Sequence, residues 1–508
     1  MAQININNLT FSYEESFENI FENVSFSIDT DWKLGFIGRN GKGKTTFLKL
    51  LLGKYQYMGT ISTSTFFDYF PYHITPKQMN LPAAEFIDDI KPQCELWHVI
   101  CELEQLCENA DILYRPFKTL SFGEQTKVLL AVLFSGENDF LLIDEPTNHL
   151  DHKARELVKK YLSSKKGFIL VSHDRNLLDT CVDHILVLNR NSIEVQKGNF
   201  SSWWENKQRK DTFAKSENEK HLKEISKLKQ AAKRNSEWAD KNEQTKIGFD
   251  PIKNHDRCVG ARAYIGSKTK KMQSRVKHTE KRINQEIKEK EGLLSDLEQS
   301  SDLKIMPLIH HKNTLVNIRE YSVKYINAQK ETFTNVTFNI DKGERIAIHG
   351  ENGCGKSTLL KMILQNAGTL NTHLPVIETG TCQTASGLII SYVNQDTSML
   401  RGSISEFCSE YKLDESLFCS ILRQLDMNRT QFLKNIDDYS EGQKKKVLIA
   451  ASLLTPAHLY IWDEPLNYID VFSRIQIEKL LLDYQPTMLF VEHDINFRNN
   501  IATKTITL

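Results

Sequence analysis

Gly38-Arg39-Asn40-Gly41-Lys42-Gly43-Lys44-Thr45 follows the apolar run Leu34–Ile37 and opens an amphipathic stretch, Phe47–Leu52. The pattern G-x-x-x-x-G-K-[ST] set between a strand and a helix is a phosphate-binding loop. It occurs again as Gly350-Glu351-Asn352-Gly353-Cys354-Gly355-Lys356-Ser357, after Ile346–Ile348 and before Leu359–Ile363. Glycines let backbone amides curl around phosphate oxygens, and the helix N-terminus adds its dipole. Lys44 and Lys356 are placed to reach β- and γ-phosphates, and Thr45 and Ser357 to ligate Mg2+. Gly38, Asn40, Gly41, Gly43 and Thr46 complete the first predicted cradle. Gly350, Asn352, Gly353, Gly355 and Thr358 complete the second. Duplication in matching context argues against two accidental glycine-rich turns.

Further motifs recur in the same order. Lys44 and Lys356 are 312 residues apart, Ser121 and Ser440 are 319, Asp144 and Asp463 are 319, and His173 and His493 are 320. Two homologous α/β domains follow, 1–200 and 313–508. In each, an apolar run ends in two acids: Phe140-Leu141-Leu142-Ile143-Asp144-Glu145 and Leu459-Tyr460-Ile461-Trp462-Asp463-Glu464. A single Asp-Glu pair after a strand is more often a solvated turn. Two pairs at matched distance from two phosphate loops read as catalytic. The aspartates Asp144 and Asp463 suit a hydrated Mg2+, and the glutamates Glu145 and Glu464 suit a general base acting on water.

The segment 201–300 has a different character. It carries 24 Lys and Arg against 16 Asp and Glu, an excess of +8 in a chain whose formal net charge is zero. Glycine and proline are scarce in 201–245 and 267–299, and both stretches read as helices. Met272, Val276, Ile283, Ile287, Leu294 and Leu297 make an apolar seam at near-heptad spacing, and Leu222, Ile225, Leu228 and Ala232 a similar stripe. The interruption near 246–266, with Gly248, Pro251, Gly260 and Gly266, reads as a loop. The expectation is an antiparallel α-helical hairpin linker over 201–312 with its loop at the far end.

Nine cysteines with no C-x-x-C spacing point to a reducing compartment. The N-terminus does not read as a signal peptide, and no apolar run approaches the ~20 residues of a membrane span. The expected location is cytoplasmic.

Leu120-Ser121-Phe122-Gly123-Glu124-Gln125 and Tyr439-Ser440-Glu441-Gly442-Gln443 resemble the ABC signature L-S-G-G-Q. With the phosphate loops, the acid pairs, His173 and His493, the resemblance covers both terminal domains. It implies two ABC-type ATPase domains paired head to tail in a monomer, each ATP between one phosphate loop and the opposite signature. Ser121 and Gly123 would contact the ATP of the second domain, Ser440 and Gly442 that of the first. His173 and His493 would sense the γ-phosphate, and Tyr13 and Tyr325 would stack on adenine. Gln395 would contact the metal. At the corresponding place the first half has Asp68-Tyr69-Phe70-Pro71-Tyr72, which puts Tyr72 where a glutamine is expected. The middle signature glycine is replaced by Phe122 and by Glu441. The two sites are therefore expected to be unequal.

Two such domains in one chain, a basic linker, and only about 48 residues between Tyr72 and the first signature resemble the ABC-F family. Thr147-Asn148-His149-Leu150-Asp151, Leu466-Asn467-Tyr468-Ile469-Asp470, Trp32–Leu34 leading into the first phosphate loop, and Gly198-Asn199-Phe200-Ser201 look like its antibiotic-resistance branch, the Lsa and Vga types, with Lsa the nearer. The resemblance implies ATP and Mg2+ as cofactors and a 70S ribosome as partner. The ATP-bound protein would enter the tRNA exit site. Its linker would reach toward large-subunit rRNA at the peptidyl-transferase centre, displace P-site tRNA and dislodge lincosamides, pleuromutilins and streptogramin A compounds.

From residues alone, ten Lys and Arg against three acids between Gly260 and Lys290 suit phosphate contacts. A solvated charged coiled coil accounts for the same run. Lys246, Arg262, Lys268, Lys270 and Lys271 are the basic candidates. Phe249, His255 and Arg257 could stack on or hydrogen-bond to unpaired bases, or belong to a flexible tip. Trp203 and Trp204 read as anchors onto the first domain. The rival readings are a housekeeping ABC-F translation factor, the ATPase pair of a membrane ABC transporter, and a DNA-binding ATPase.

Overall fold

A computed structural model describes residues 3–13, 19–92, 94–136, 139–148, 150–188, 193–247, 274, 278–279, 281–283, 285, 303–326, 330–370 and 374–508. Each half is built from two sheets. In the first, the runs Leu141-Leu142-Ile143 and Phe168-Ile169-Leu170-Val171 are buried almost completely, as expected of strands covered on both faces of a parallel sheet. The sheet order is Phe66–Phe70, Asp139–Asp144, Phe168–Val171, Lys33–Gly38, His184–Leu188, Ile193–Lys197, and all neighbours but the last pair are parallel. The second half repeats it as Ile390–Val393, Leu459–Asp463, Met488–Val491, Arg345–His349, Lys504–Thr507, parallel throughout. Beside each lies a three-stranded antiparallel sheet: Phe21–Asp29, Gln3–Phe11, Met58–Ser62, and Phe333–Asp341, Thr314–Tyr325, Val376–Thr384. The two faces meet over alternating residues such as Ile4, Ile6 and Leu9.

The phosphate loops sit where Lys33–Gly38 and Arg345–His349 run into the helices Lys44–Leu51 and Lys356–Asn366. Gly43 and Gly355 take φ of 104° and 97°. A Cβ there would also lie 2.5 Å from Ile20 and 2.6 Å from Thr332, so only glycine fits the turn. The acid pairs end the strands Asp139–Asp144 and Leu459–Asp463. Glu145 and Glu464 follow with φ of 51° and 46°, a left-handed conformation that costs a non-glycine residue energy and turns both glutamates the same way.

Residues 204–300 form a unit separate from 1–203 with 301–508. The helix Phe200–Ile247 has 48 residues. Within that unit Ile225 and Ile283 are buried together, with Leu228 against them. Leu222, expected on the same stripe, is 53% exposed. The strap after the linker differs from expectation. Leu303 and Ile305 are buried in the core of the second half, and Leu308 donates its N–H to Ala457 O at 2.8 Å. Residues 303–312, assigned to the linker, therefore pack as part of the second domain. Trp203 is buried too, with its ring 6.0 Å from that of Phe472 in the second half, not only against the first. Phe249, His255, Arg257 and Arg262 of the expected loop, and Lys268, Lys270 and Lys271 of the expected second helix, lie outside the described residues, as do His149 and the side chain of Lys246. No helix among the described residues is long and apolar enough to cross a membrane.

Candidate nucleotide sites

Both phosphate-loop lysines are buried and held by their own loops. Lys44 Nζ donates to Gly38 O at 2.6 Å, Arg39 O at 3.3 Å and Asn40 Oδ1 at 3.2 Å. Lys356 Nζ donates to Gly350 O at 2.9 Å and Glu351 O at 2.8 Å. The two tyrosines assigned to adenine occupy matched positions. Tyr13 Oη lies 2.9 Å from Thr46 Oγ1, and Tyr325 Oη 3.1 Å from Thr358 Oγ1.

The halves are arranged so that each phosphate loop faces the other half. At the second, a cleft of about 580 Å³ is lined by Asn352, Gly353, Gly355, Lys356, Ser357, Thr358, Tyr325, Gln395, Glu464 and His493, and by Phe122 and Arg155 from the first half. At the first, Asn40 Nδ2 donates to Tyr468 O at 2.6 Å. A Cβ on Gly442 would stand 2.5 Å from that carbonyl, so the signature glycine is required by the close approach. The signature serines have a structural duty as well. Ser121 caps the helix Phe122–Phe134 and Ser440 the helix Glu441–Leu454, each in a capping box. Gly123 sits within the first turn of its helix. The signature Glu441 accepts from Thr397 Oγ1 at 2.7 Å within its own half.

The glutamates sit in different surroundings. Glu464 accepts from Asn467 Nδ2 at 2.7 Å and Gln395 Nε2 at 2.9 Å, and His493 Nε2 stands 3.1 Å from it. Burial alone would raise its carboxyl. The hydrogen bond and charge of His493, then Lys356 and Asn467, hold it below its ordinary value. Glu145 is 3.5 Å from His173 Nε2, and its Oε1 is buried with no hydrogen-bond partner. Burial and the charge of Asp144 push it up to about 8. Burial, then the charge of Lys44, keeps His173 well below the usual imidazole range, so it is neutral.

The strand register explains the difference. Phe70 pairs with Ile143 and Val393 with Trp462, which makes Pro71-Tyr72 the counterpart of Asn394-Gln395. Tyr72 Oη donates to Asp68 Oδ2 at 2.6 Å, whereas Gln395 donates to Glu464. The aspartates differ too. Asp463 is 1% exposed, both its carboxylate oxygens are buried, and the Ser357 hydroxyl is the donor beside them. Burial pushes its carboxyl up. A buried carboxylate is costly unless a cation meets it, so Asp463 with Ser357 fits the Mg2+ of such a site. Bound there, the ion would neutralise phosphate charge and polarise the γ-phosphoryl group. Asp144 is already engaged: Thr45 Oγ1 donates to its Oδ2 at 2.9 Å and Tyr69 Oη at 3.2 Å.

Sequence reasoning passed over Asn467, Arg155 and Tyr69. Asn467 was legible, because it recurs at the step of 319 from Asn148. Arg155 and Tyr69 carry no motif, and only the fold brings them to the sites.

The ABC transporter family profile matches residues 21–148 and 333–467, more than half of the chain, which therefore belongs to the ABC family as an ATPase with two cassettes. The chain is similar from end to end to ABC-F ATP-binding proteins. It is 28% identical over 561 residues to the putative ATP-binding protein YdiF of Bacillus subtilis, covering 100% of this chain and 80% of that one. It is 28% identical over 494 residues to the ribosome protection protein VmlR of Bacillus subtilis, covering 96% and 83%. It is 27% identical over 481 residues to the erythromycin resistance ATP-binding protein MsrA of Staphylococcus epidermidis, covering 93% and 91%. Among solved structures, an archaeal ribosome recycling factor, aABCE1, in complex with the ribosomal stalk protein aP1, shares the fold. The TM-score is 0.58 at 18% identity, over 98% of this chain and 87% of that one.

Proposed function

We propose that this chain is an ABC-F ribosome protection ATPase of the antibiotic-resistance branch, of the Lsa type. With ATP bound it enters the tRNA exit site of the 70S ribosome. Its linker approaches large-subunit rRNA at the peptidyl-transferase centre, displaces P-site tRNA and releases lincosamides, pleuromutilins and streptogramin A compounds. Hydrolysis lets the cassettes part and the protein leave, within the cytoplasm. In this reading Glu145 and Glu464 are the general bases. Thr45, Ser357, Asp144, Asp463 and Gln395 attend Mg2+, and His173 and His493 sense the γ-phosphate. Ser121, Gly123, Ser440 and Gly442 close over ATP, and Tyr13 and Tyr325 stack on adenine. Lys246, Phe249, His255, Arg257, Arg262, Lys268, Lys270 and Lys271 meet rRNA.

The observation that carries the reading is whole-chain similarity to VmlR, whose name is ribosome protection protein. The 48-residue helix leaving the first cassette supports it, because a basic helical segment of that length serves phosphate contacts and has no use in a transporter ATPase pair. Co-sedimentation of the Glu145→Gln, Glu464→Gln double variant with 70S ribosomes in ATP at low salt tests the partner. Absence from the ribosomal pellet would sink the assignment, and competitor DNA in the same experiment exposes a DNA-binding protein.

Equal identity to YdiF, named only as a putative ATP-binding protein with no mention of protection or resistance, favours a second reading, a housekeeping ABC-F factor. Expression in a sensitive strain separates the two. Protection raises the inhibitory concentrations of lincomycin and tiamulin; a housekeeping factor leaves both unchanged.

A further inference from the structure

Tyr69 and Tyr392 occupy the same place in the two halves, paired with Leu142 and Ile461 on the acid-bearing strands. Their hydroxyls go different ways. Tyr392 Oη donates to Asn394 Oδ1 at 3.2 Å. The first half has Pro71 at the position of Asn394, which offers no side-chain acceptor. Tyr69 Oη instead donates to Asp144 Oδ2 at 3.2 Å, the oxygen that Thr45 also engages at 2.9 Å. Asp463, by contrast, has the Ser357 hydroxyl, the counterpart of Thr45, beside it, while Tyr392 is turned to Asn394.

We propose that Tyr69 is a positioning residue that competes with the divalent cation for Asp144 and makes the first ATP site the weaker metal site of the two. Each hydrogen bond to Asp144 Oδ2 draws on lone pairs and negative charge that would otherwise face the ion. A cation entering the first site has to displace the phenol or share the carboxylate with it. At the second site it meets a carboxylate that no phenol engages. The phenol sits beside Asp144 because of the Pro71 and Asn394 difference, so the inequality is written into the strand end and not into the phosphate loops. The inference rests on the ATPase assignment and is independent of the ribosome.

The test uses the full chain carrying Lys356→Ala, which confines nucleotide to the first site. Mn2+ is titrated in the presence of ATP and its free signal read by electron paramagnetic resonance. Binding of a fluorescent ATP is measured in parallel with Mg2+ and with EDTA. Tyr69→Phe is expected to lower the Mn2+ half-saturation at least about threefold, the low end of the net worth of one hydrogen bond, and to leave EDTA binding unchanged. Tyr392→Phe in a Lys44→Ala chain, which isolates the second site, is expected to shift nothing. An unchanged or higher half-saturation in Tyr69→Phe, with an unchanged melting temperature, overturns the proposal. If the Lys356→Ala parent binds no nucleotide even with Mg2+, the first ATP site itself is refuted and the proposal falls with it.

Discussion

The side-chain amide of Asn40 donates to the backbone carbonyl of Tyr468 at 2.6 Å, between residues 428 apart in the chain. This contact belongs to a set that ties the first phosphate loop to the second half. Arg39 pairs with Asp426 at 3.1 Å, and its guanidinium stands 5.8 Å from the centre of the Phe472 ring. The counterparts of Arg39 and Phe472 are Glu351 and Lys153, which form an ion pair at 2.5 Å. Equivalent positions thus use a cation over a ring at one site and opposite charges at the other.

The Lys153–Glu351 pair is 77% and 65% exposed, so salt screens it readily. Lys153→Glu is expected to weaken ATP-driven approach of the cassettes at low ionic strength and to match the parent at high salt. Energy transfer between dyes on the two cassettes measures this. A defect that persists in high salt contradicts it.

Arg175 donates to both carboxylate oxygens of Glu478 across the halves, one bond at 3.2 Å, and the two side chains are 12% and 8% exposed. Arg175→Ala strands a buried carboxylate and is expected to cost about 3 kcal/mol. The Arg175→Leu, Glu478→Leu pair, which removes both charges, costs less. Thermal denaturation of the three proteins gives the order.

Gln395 touches Glu464, whereas Tyr72 is turned to Asp68. Gln395→Ala in a Glu145→Gln chain is expected to slow second-site hydrolysis by about tenfold, as loss of a supporting hydrogen bond does elsewhere. Tyr72→Phe in a Glu464→Gln chain should leave first-site hydrolysis unchanged. Single-turnover measurements decide both.

Glu492 is fully buried behind the second acid pair, where Oε1 accepts from Leu466 N at 2.8 Å. Burial pushes its carboxyl from 4.5 up to about 7, against the charge of Arg474 and with Glu464 and Asp494 adding to the rise. A carboxyl raised on folding contributes stability below its unfolded value that is lost as pH climbs through the folded one. The loss therefore falls between about pH 4.5 and 7 and amounts to roughly 3 kcal/mol at most. Glu492→Gln keeps the acceptor and removes the charge. Its melting temperature relative to the parent is expected to rise between pH 5 and 8; a constant difference contradicts this.

Much of the fold was legible because parallel strands and phosphate loops are local patterns. Leu34–Ile37 before Gly38, and Phe140–Ile143 before Asp144, announce strand, loop and helix within a few residues of themselves. The departure at Tyr72 could be seen in the same way, since strand length fixes where the loop must come. The role of Trp203 and the place of residues 303–312 could not, because both depend on surfaces more than a hundred residues away.

The sequence by itself determined that there are two cassettes, where each phosphate loop, acid pair, signature and histidine falls, and that a basic segment separates the halves. The sequence also marked the sites as unequal at Tyr72 and Gln395, and tertiary structure alone decided what that inequality does to the acids. Glu145 is raised to about 8 while Glu464 is held low, although both follow an aspartate on matching strands. Tyr69 donates to Asp144, while its counterpart Tyr392 donates to Asn394. The reason is physical. A side chain's charge and hydrogen bonds depend on burial and on neighbours brought in from distant parts of the chain, and motif spacing carries no record of them.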